Sequence, residues 1–263
     1  MSRIIQPRPG AQLDFAHPLA QGLVGYWLFN EGSGNTLVDY SPYGNHGTLT
    51  NMDAATDWVA GENGYALDFD GAGANVVVPH SASTTLGTGD FTIIAGVTER
   101  AATTSFPAMI GKGDAGLDEW MLRAGSSGWL NFYGAGGAIN VTSAVVFVLG
   151  EYTVVAVTRA GALCTLYKNG TVIGKDATST ANLDTTKALT IGGANNAVNR
   201  WWNGLIETAA IYNRALTADE VAQLYADAYL ALWRPRTRRV FDVAAAAVNA
   251  GGSIIGSRII VVY

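Results

Sequence analysis

Short apolar or alternating runs, separated by glycine, asparagine and aspartate, dominate residues 21–216 of the chain. Such runs are typical of β-strands, and Asn169-Gly170 predicts a tight hairpin because both residues accept positive φ. Turns recur roughly every ten residues and no long helical period precedes residue 217, which favours an antiparallel sandwich or jelly roll. The predicted strands cover residues 23–29, 66–69, 76–78, 91–97, 119–123, 129–133, 152–158, 163–168, 171–174, 188–191 and 205–212.

One helix follows the predicted strands. Thr217 and Glu220 form a capping-box pattern, in which the hydroxyl of the first and the carboxylate of the second satisfy each other's amides. Apolar residues then recur on one helical face, and Pro235 stops the helix. The sequence therefore predicts a closing helix over residues 217–233.

The termini differ from this middle region and give a division into three parts. Residues 1–20 form an N-terminal arm that contains three prolines, which oppose regular structure. Residues 21–233 form the sandwich with its closing helix. Residues 234–263 form an apolar C-terminal tail. We predict that the arm and the tail are both assembly elements, and that the tail packs on a neighbouring subunit. The alternative is a tail that folds back on its own sandwich.

Several ordered segments between residues 22 and 228 resemble the laminin-G-like, concanavalin-A-like jelly-roll family. GLVGYWLFNEGSG (22–34) looks like the opening strand and loop of that family, VDYSPYGNHGT (38–48) like the following loop, and NGLIE (203–207) with IYNRAL (211–216) like its closing strand. The resemblance implies an all-β, two-sheet antiparallel jelly-roll sandwich of the concanavalin A-like type, with one C-terminal helix and extended terminal arms.

Composition supports a large β core and excludes some functions. The chain has 263 residues, of which 49% are hydrophobic and 14% charged, with 32 glycines and a net charge of −5. A negative chain does not favour nucleic acid, and the arginines within 234–239 are interpreted as a solvated junction or a contact with an acidic protein. No apolar run is long enough for a signal peptide or a membrane span. The lone cysteine, Cys164, lies in an apolar run and is interpreted as buried.

The residue inventory argues against an enzyme. None of the three histidines, His17, His46 and His80, accompanies a serine or cysteine in a nucleophile setting. Some relatives by fold are glycosidases with carboxylates on alternate residues of one strand, where they share a face, and no Glu-x-Asp-x-Glu run exists here. The acidic residues within 114–119 are interpreted as a solvated loop. We therefore predict no catalytic residues.

A structural calcium ion is the one cofactor that the resemblance implies. Calcium takes hard oxygen ligands from carboxylates and loop carbonyls. The predicted ligands are Asp39, Asn45, His46 through its carbonyl oxygen, and Glu207. The family often has Asp-Glu where this chain has Glu207-Thr208, and Asp39 with Asn45 could instead stabilise a turn.

Sugar recognition would use exposed aromatic side chains, although strand aromatics are more often core. The candidates for ligand binding are Trp120, Trp129, Tyr133, Trp201 and Trp202.

The proline-rich start, the Leu-Tyr-Ala-Asp helix and the Trp-Arg-Pro-Arg exit are similar to phage-encoded members of the family. This similarity predicts a non-enzymatic bacteriophage virion structural protein, either a capsid decoration subunit or a tail-associated adhesin. Its partners would be other virion proteins, copies of itself and a host-surface glycan, and its location the virion. The alternative is a carbohydrate-binding lectin module that acts free of a particle.

Overall fold

Antiparallel strands form almost all of the regular structure in this computed structural model, which describes residues 6–101, 106–113, 120–125, 128–193, 200–233, 241–248 and 254–261. In chain order the strands are β1 (Gln12–Leu13), β2 (Leu23–Trp27), β3 (Thr36–Leu37), β4 (Gly47–Thr50), β5 (Trp58–Ala60), β6 (Tyr65–Asp70), β7 (Asn75–Val78), β8 (Phe91–Glu99), β9 (Ala108–Lys112), β10 (Trp120–Ala124), β11 (Trp129–Gly134), β12 (Ile139–Val146), β13 (Tyr152–Ala160), β14 (Leu163–Lys168), β15 (Thr171–Asp176), β16 (Leu189–Ile191), β17 (Asn203–Tyr212), β18 (Leu232–Trp233), β19 (Phe241–Val248) and β20 (Ile254–Val261). The helix α1 spans Ala218–Ala226, and single 3-10 turns lie at Pro18–Ala20, Ala82–Thr84 and Ala135–Gly137.

Two large sheets pack face to face, which confirms the predicted two-sheet antiparallel sandwich. One sheet has the strand order β12-β11-β10-β9-β16-β7-β4-β3, and we call it the open sheet. The other has the order β15-β14-β13-β8-β17-β6-β5, with β2 also paired to β17, and we call it the covered sheet. The predicted Asn-Gly hairpin joins β14 to β15, with Asn169 at φ 50° and Gly170 at φ 75°.

The main core lies between the two sheets and takes alternate residues from each strand. In β8, Phe91, Ile93, Ala95 and Val97 belong to this core, whereas Ile94 lies in a second cluster of buried residues. Alternation along a strand therefore puts the second cluster on the outer side of the covered sheet. Cys164 is buried in the main core, as the sequence predicted.

The second cluster shows how the covered sheet is closed off from solvent. It unites outward residues of the sheet with the N-terminal segment, α1 and residues 229–232. Leu19 and Tyr229 are completely buried there, and Gln6 donates from Nε2 to the Leu28 carbonyl at 2.6 Å. The described part of the predicted arm, residues 6–20, thus packs on its own chain.

The helix begins where the sequence predicted but ends earlier. The capping box is present, with the Glu220 amide donating to Thr217 Oγ1 at 3.2 Å and the Thr217 amide to Glu220 Oε2 at 2.9 Å. The predicted span of 217–233 is wrong at its C-terminal end, because Asp227 is extended and its carboxylate accepts the Tyr229 amide at 2.9 Å. That bond turns the chain, and residues 232–233 form a strand.

Two units make up the chain, Met1–Leu232 and Trp233–Tyr263. Within the second unit, β19 and β20 pair with each other in a continuous antiparallel register from Phe241↔Val261 to Val248↔Ile254. The predicted tail thus contains a hairpin of its own. Its packing on a neighbouring subunit stays a prediction, and the arginines within 234–239 lie outside the described residues.

Candidate functional site

The outer face of the open sheet carries polar and aromatic residues at the positions that alternate with the core. Trp120, Leu122 and Ala124 of β10 are in the main core, so Met121 and Arg123 point to the other side. The register Met121↔Tyr133 and Arg123↔Asn131 places the β11 residues on the same outer face. Arg123 of β10 therefore lies directly opposite Asn131 of β11.

Three rings and one guanidinium form a stack on this face, which we call the aromatic ladder: Trp129, Phe106, Arg123 and Tyr133. The rings of Phe106 and Trp129 meet edge to face, with centroids 5.9 Å apart. The guanidinium carbon of Arg123 lies 4.5 Å from the Phe106 centroid and 4.2 Å from the Tyr133 centroid. Phe106 is 37% exposed and Trp129 and Tyr133 are half-buried, so the rings are accessible while Arg123, at 6%, is enclosed by them.

Polar side chains hold the base of the aromatic ladder. Arg123 Nε donates to Asn131 Oδ1 at 2.7 Å. The amide nitrogen of Asn131 donates in turn to Asn140 Oδ1 at 2.8 Å and to Thr142 Oγ1 at 3.0 Å. Asn140 and Thr142 are exposed on β12, so they supply hydrogen-bonding groups at the rim of the ladder.

Of the remaining predicted ligand residues, Trp201 is partly accessible and the other two are buried. Trp201 is half-buried against Gly193, whose carbonyl accepts from Thr190 Oγ1 at 2.9 Å. The surface role predicted for Trp120 and Trp202 is wrong, because both rings are in the main core, 1% and 0% exposed. Trp202 packs edge to face on Phe147 there.

The sequence did not identify Phe106, Arg123 or Asn131. Arg123 carries a signal that could have been used, because a charge at an alternate position of an otherwise apolar strand indicates an outward face. Phe106 precedes β9 and has no such periodicity. Its place beside Trp129 depends on the pairing of β9 with β10.

The predicted metal ligand Asp39 has both carboxylate oxygens bonded to protein donors. Oδ1 accepts the amides of Tyr26 and Ser41, each at 2.8 Å. Oδ2 accepts the Ser41 hydroxyl and the Asn45 amide, each at 2.7 Å. A carboxylate offers about four lone-pair positions, and four donors fill them here.

Asn45 and His46 take part in the same network, whereas Glu207 does not. The Asn45 carbonyl accepts Trp27 Nε1 at 2.9 Å, and His46 Nδ1 accepts the Asp39 amide at 3.0 Å. Glu207 instead accepts the amides of Glu62 and Asn63 at 2.8 and 3.0 Å. Burial raises the pKa of Glu207, and these two amides counteract that rise.

The fit of these four residues to calcium is poor on their donor chemistry. Hydrogen-bond donors converge on Asp39 where a cation would need free oxygens, and Glu207 closes a different loop. Among the described residues, no group of three or more His, Cys, Asp or Glu side chains could hold a metal ion. Calcium binding stays a prediction from the resemblance, and the turn-stabilising alternative accounts for the observed contacts of Asp39 and Asn45.

Two clefts lie away from the aromatic ladder. One, of about 550 Å³, has Phe15, Glu31 and Tyr40 among its lining residues. The other, of about 690 Å³, has His80, Asp184 and Lys187 among its lining residues. The first combines aromatic rings with a carboxylate and is therefore an alternative place for a sugar.

Comparison with known proteins places this architecture in a family. The family model described as the concanavalin A-like lectin/glucanases superfamily matches residues 70–222, which is more than half of the chain. A search of curated proteins found no match. Within the described residues, no helix is long and apolar enough to cross a membrane.

Solved structures give the same fold at low sequence identity. The binding domain of Paraclostridial Mosquitocidal Protein 1 superposes with a TM-score of 0.62 at 17% identity, over 79% of this chain and 52% of that chain. Domain 4 of AbnA, an extracellular arabinanase from Geobacillus stearothermophilus solved with arabinotriose, gives 0.62 at 18%, over 77% and 98%. Trypanosoma rangeli sialidase gives 0.58 at 18%, over 78% and 33%. The chain spans about half of the first of these and a third of the last, and the likeness concerns the fold alone.

Proposed function

The chain belongs to the concanavalin A-like lectin/glucanases superfamily, and from that premise we propose that it is a non-enzymatic carbohydrate-binding domain whose ligand face is the aromatic ladder of the open sheet. The observation that carries this proposal is the placement of accessible rings, an arginine and polar amides on one sheet face while the chain itself covers the other. Apolar ring faces receive the C–H faces of a sugar, and a few fixed polar groups orient it.

Binding to an oligosaccharide panel tests the proposal. Arabinotriose is the first probe, because the arabinanase domain of the same fold was solved with it, followed by xylo-, cello- and sialyl-oligosaccharides. We expect Trp129→Ala to weaken calorimetric binding about tenfold or more, the loss of roughly 1.4 kcal/mol that a central aromatic contact provides.

Two further variants distinguish the aromatic ladder from the 550 Å³ cleft as the place where the sugar binds. Tyr225→Ala removes an aromatic residue that is 43% exposed on α1, over the covered sheet, and should leave binding unchanged. Phe15→Ala removes the exposed ring of the 550 Å³ cleft. If Phe15→Ala abolishes binding and Trp129→Ala does not, the ligand face is the cleft and the proposal for the open sheet is wrong.

The proposed absence of catalysis rests on the side chains of the ladder. Its four members, Trp129, Phe106, Arg123 and Tyr133, include no carboxylate, whereas most glycosidases use a pair of carboxyl groups as acid and as nucleophile or base. Incubation with each bound oligosaccharide should release no new reducing ends. Measurable turnover that disappears in Trp129→Ala would show a glycosidase instead.

A virion role is the second candidate. We propose that the domain serves as a capsid decoration or tail-associated adhesin, joined to its particle or to other copies by the C-terminal unit. The self-paired hairpin of β19 and β20 within the second unit favours this role over a free lectin. Deleting residues 234–263 should leave a folded domain that binds sugar but no longer associates with particles, as detected by sedimentation and mass spectrometry. A deletion that unfolds the domain would favour a tail that packs on its own sandwich.

A further inference from the structure

We propose that Arg123 is the positioning residue of the aromatic ladder: its guanidinium, held between two rings, sets the ring geometry that a sugar meets. This inference rests on the proposed function and adds a role to a residue that is itself mostly shielded from solvent.

The side-chain contacts of Arg123 come from β11, through Asn131 and Tyr133, and from Phe106 before β9. Its guanidinium carbon lies within 4.5 Å of the Phe106 and Tyr133 ring centroids, on the outer face between them. Phe106 in turn contacts Trp129. The position of each exposed ring therefore depends, directly or through one neighbour, on where the guanidinium lies.

The guanidinium is fixed in direction as well as in place. Nε donates to Asn131 Oδ1 at 2.7 Å, and the amide nitrogen of Asn131 also donates to the Val141 carbonyl at 2.8 Å. Asn131 is completely buried, so its amide plane cannot rotate without losing bonds to β12. Through Asn131, the pairing of β11 with β12 therefore fixes the orientation of the guanidinium plane.

Arginine is suited to this position and lysine is not. A guanidinium is planar and can stack on two rings while its Nε donates in the plane, whereas an ammonium is a compact charge that cannot do both. Rings that are held in the bound geometry before the sugar arrives lose less side-chain freedom on binding, which improves affinity without a new contact.

The test compares Arg123→Lys with a matched arginine elsewhere. Arg159 is also buried, stacks on Phe91 with 4.8 Å to the ring centroid, and donates to the Gly87 and Gly89 carbonyls. Arg159→Lys should lower the melting temperature and leave the ladder intact. Arg123→Met keeps an unbranched apolar stem and loses both the charge and the planar guanidinium, so it tests whether packing of the stem alone holds the rings.

The first readout needs no ligand. Near-ultraviolet circular dichroism of the full chain reports the asymmetric surroundings of Trp129 and Tyr133, and a Trp129→Phe background identifies the tryptophan part. We expect Arg123→Lys and Arg123→Met to reduce that part by about half or more, and Arg159→Lys to preserve it. An unchanged spectrum in both Arg123 variants, with the fold retained, overturns the proposal.

The second readout is calorimetry with arabinotriose, or with the tightest oligosaccharide of the panel. We expect Arg123→Lys to weaken binding about five- to tenfold, mainly through a less favourable entropy. If Trp129→Ala weakens binding and Arg123→Lys does not, the positioning role is wrong and the carbohydrate face stands. If no oligosaccharide binds but the spectra change as expected, the carbohydrate function fails and the positioning of the rings by Arg123 stands.

Discussion

The two outer faces of the sandwich differ in what the chain itself places over them. On the covered sheet, outward residues such as Ile94, Val154 and Ala156 are apolar and lie under the N-terminal segment and α1. On the open sheet, the outward residues of β10 to β12 include an arginine, two asparagines and two large rings, and Asn140 and Thr142 reach solvent. Because the chain itself seals one outer face of the sandwich, the outer face of the open sheet is left for a ligand.

This contrast separates residues that stabilise from residues that bind. Substitutions under α1 should change the free energy of unfolding and leave affinity alone, because no ligand reaches them. Substitutions of the ladder rings should do the opposite, since exposed rings contribute little to the core.

Leu19→Ala should produce the largest loss of stability. Leu19 is completely buried in the second cluster, and removing a buried leucine side chain costs about 2–5 kcal/mol from transfer and cavity terms. Phe15→Ala, four residues earlier and 63% exposed, is the matched control and should cost less than about 1 kcal/mol. Urea denaturation measures both. Equal losses would mean that the N-terminal segment does not seal the covered sheet.

Asp39→Ala should cost about 3 kcal/mol, because charged hydrogen bonds are stronger than neutral ones and four buried donors lose their acceptor. Asp39 joins β2 of the covered sheet to the loop that leads to β4 of the open sheet, so its loss loosens the connection between the two. Asp70→Ala is the control, since Asp70 is exposed and accepts two amides of a surface turn.

Comparison of the parent with Asp39→Ala also tests for calcium. With the carboxylate already saturated, chelator should leave the melting temperature of the parent and of Asp39→Ala unchanged. A ligand that binds only the folded state raises stability by mass action. A calcium-dependent rise in the parent that is absent in Asp39→Ala would therefore restore the predicted metal site.

Much of the fold could be predicted because its signals are local. The Asn169-Gly170 hairpin and the Thr217–Glu220 capping box need only their own residues to form, and both are present. The sequence also indicated that the outer face of the covered sheet is buried. The run FTIIAGV within β8 has Thr92 as its one polar residue, which is typical of a strand that is buried on both faces. Which segments cover that face could not be predicted, since it depends on contacts between residues far apart in sequence.

The candidate site was predictable in residue type and not in placement. Trp120 and Trp129 both lie in strands, and a shift of one position along a strand exchanges the core side for the outer side, so only the sheet register separates them. The sequence identifies Asp39 and Glu207 as acidic residues. It does not tell whether their carboxylate oxygens are free to bind a metal, because that depends on backbone amides that folding brings to them.

Glu99→Gln should raise stability above pH 7 by about 3 kcal/mol, because a rise of the pKa from 4.5 to about 7 costs about 1.4 kcal/mol per pKa unit. The alternation of β8 points Glu99 to the interior between the two sheets, and its Oε2 has no hydrogen-bond partner among the described residues. Burial raises the pKa of Glu99 to about 7 from its ordinary value near 4.5. The folded state therefore holds the proton more tightly, and stability falls as pH rises between these two values and stays low above them.

The glutamine variant removes that dependence. We expect Glu99→Gln to be more stable than the parent at pH 8 and equal to it near pH 4.5, as measured by urea midpoints across this range. The control is Glu151→Gln, which should follow the parent. Glu151 is exposed and directly precedes β13, whose first residue pairs with Thr98 next to Glu99. A parent whose midpoint does not fall between pH 5 and pH 7.5 would contradict the interior placement of Glu99.

Thr217→Ala should give the smallest effect, about 1 kcal/mol, the usual contribution of an N-cap side chain. The helix it caps lies over the covered sheet, and Glu220 of the same capping box also pairs with Arg214 at 2.8 Å.

The hydrogen bond from Arg214 lowers the pKa of Glu220, so the contribution of this carboxylate to stability is present above pH 4.5 and is lost as pH falls through its folded pKa. Glu220→Gln should therefore reduce stability at pH 7 and match the parent at the lowest pH at which both remain folded. Because the helix seals one face and the ladder occupies the other, both variants should bind the panel oligosaccharides as the parent does, and a weakened affinity in Thr217→Ala would show that the two faces are coupled.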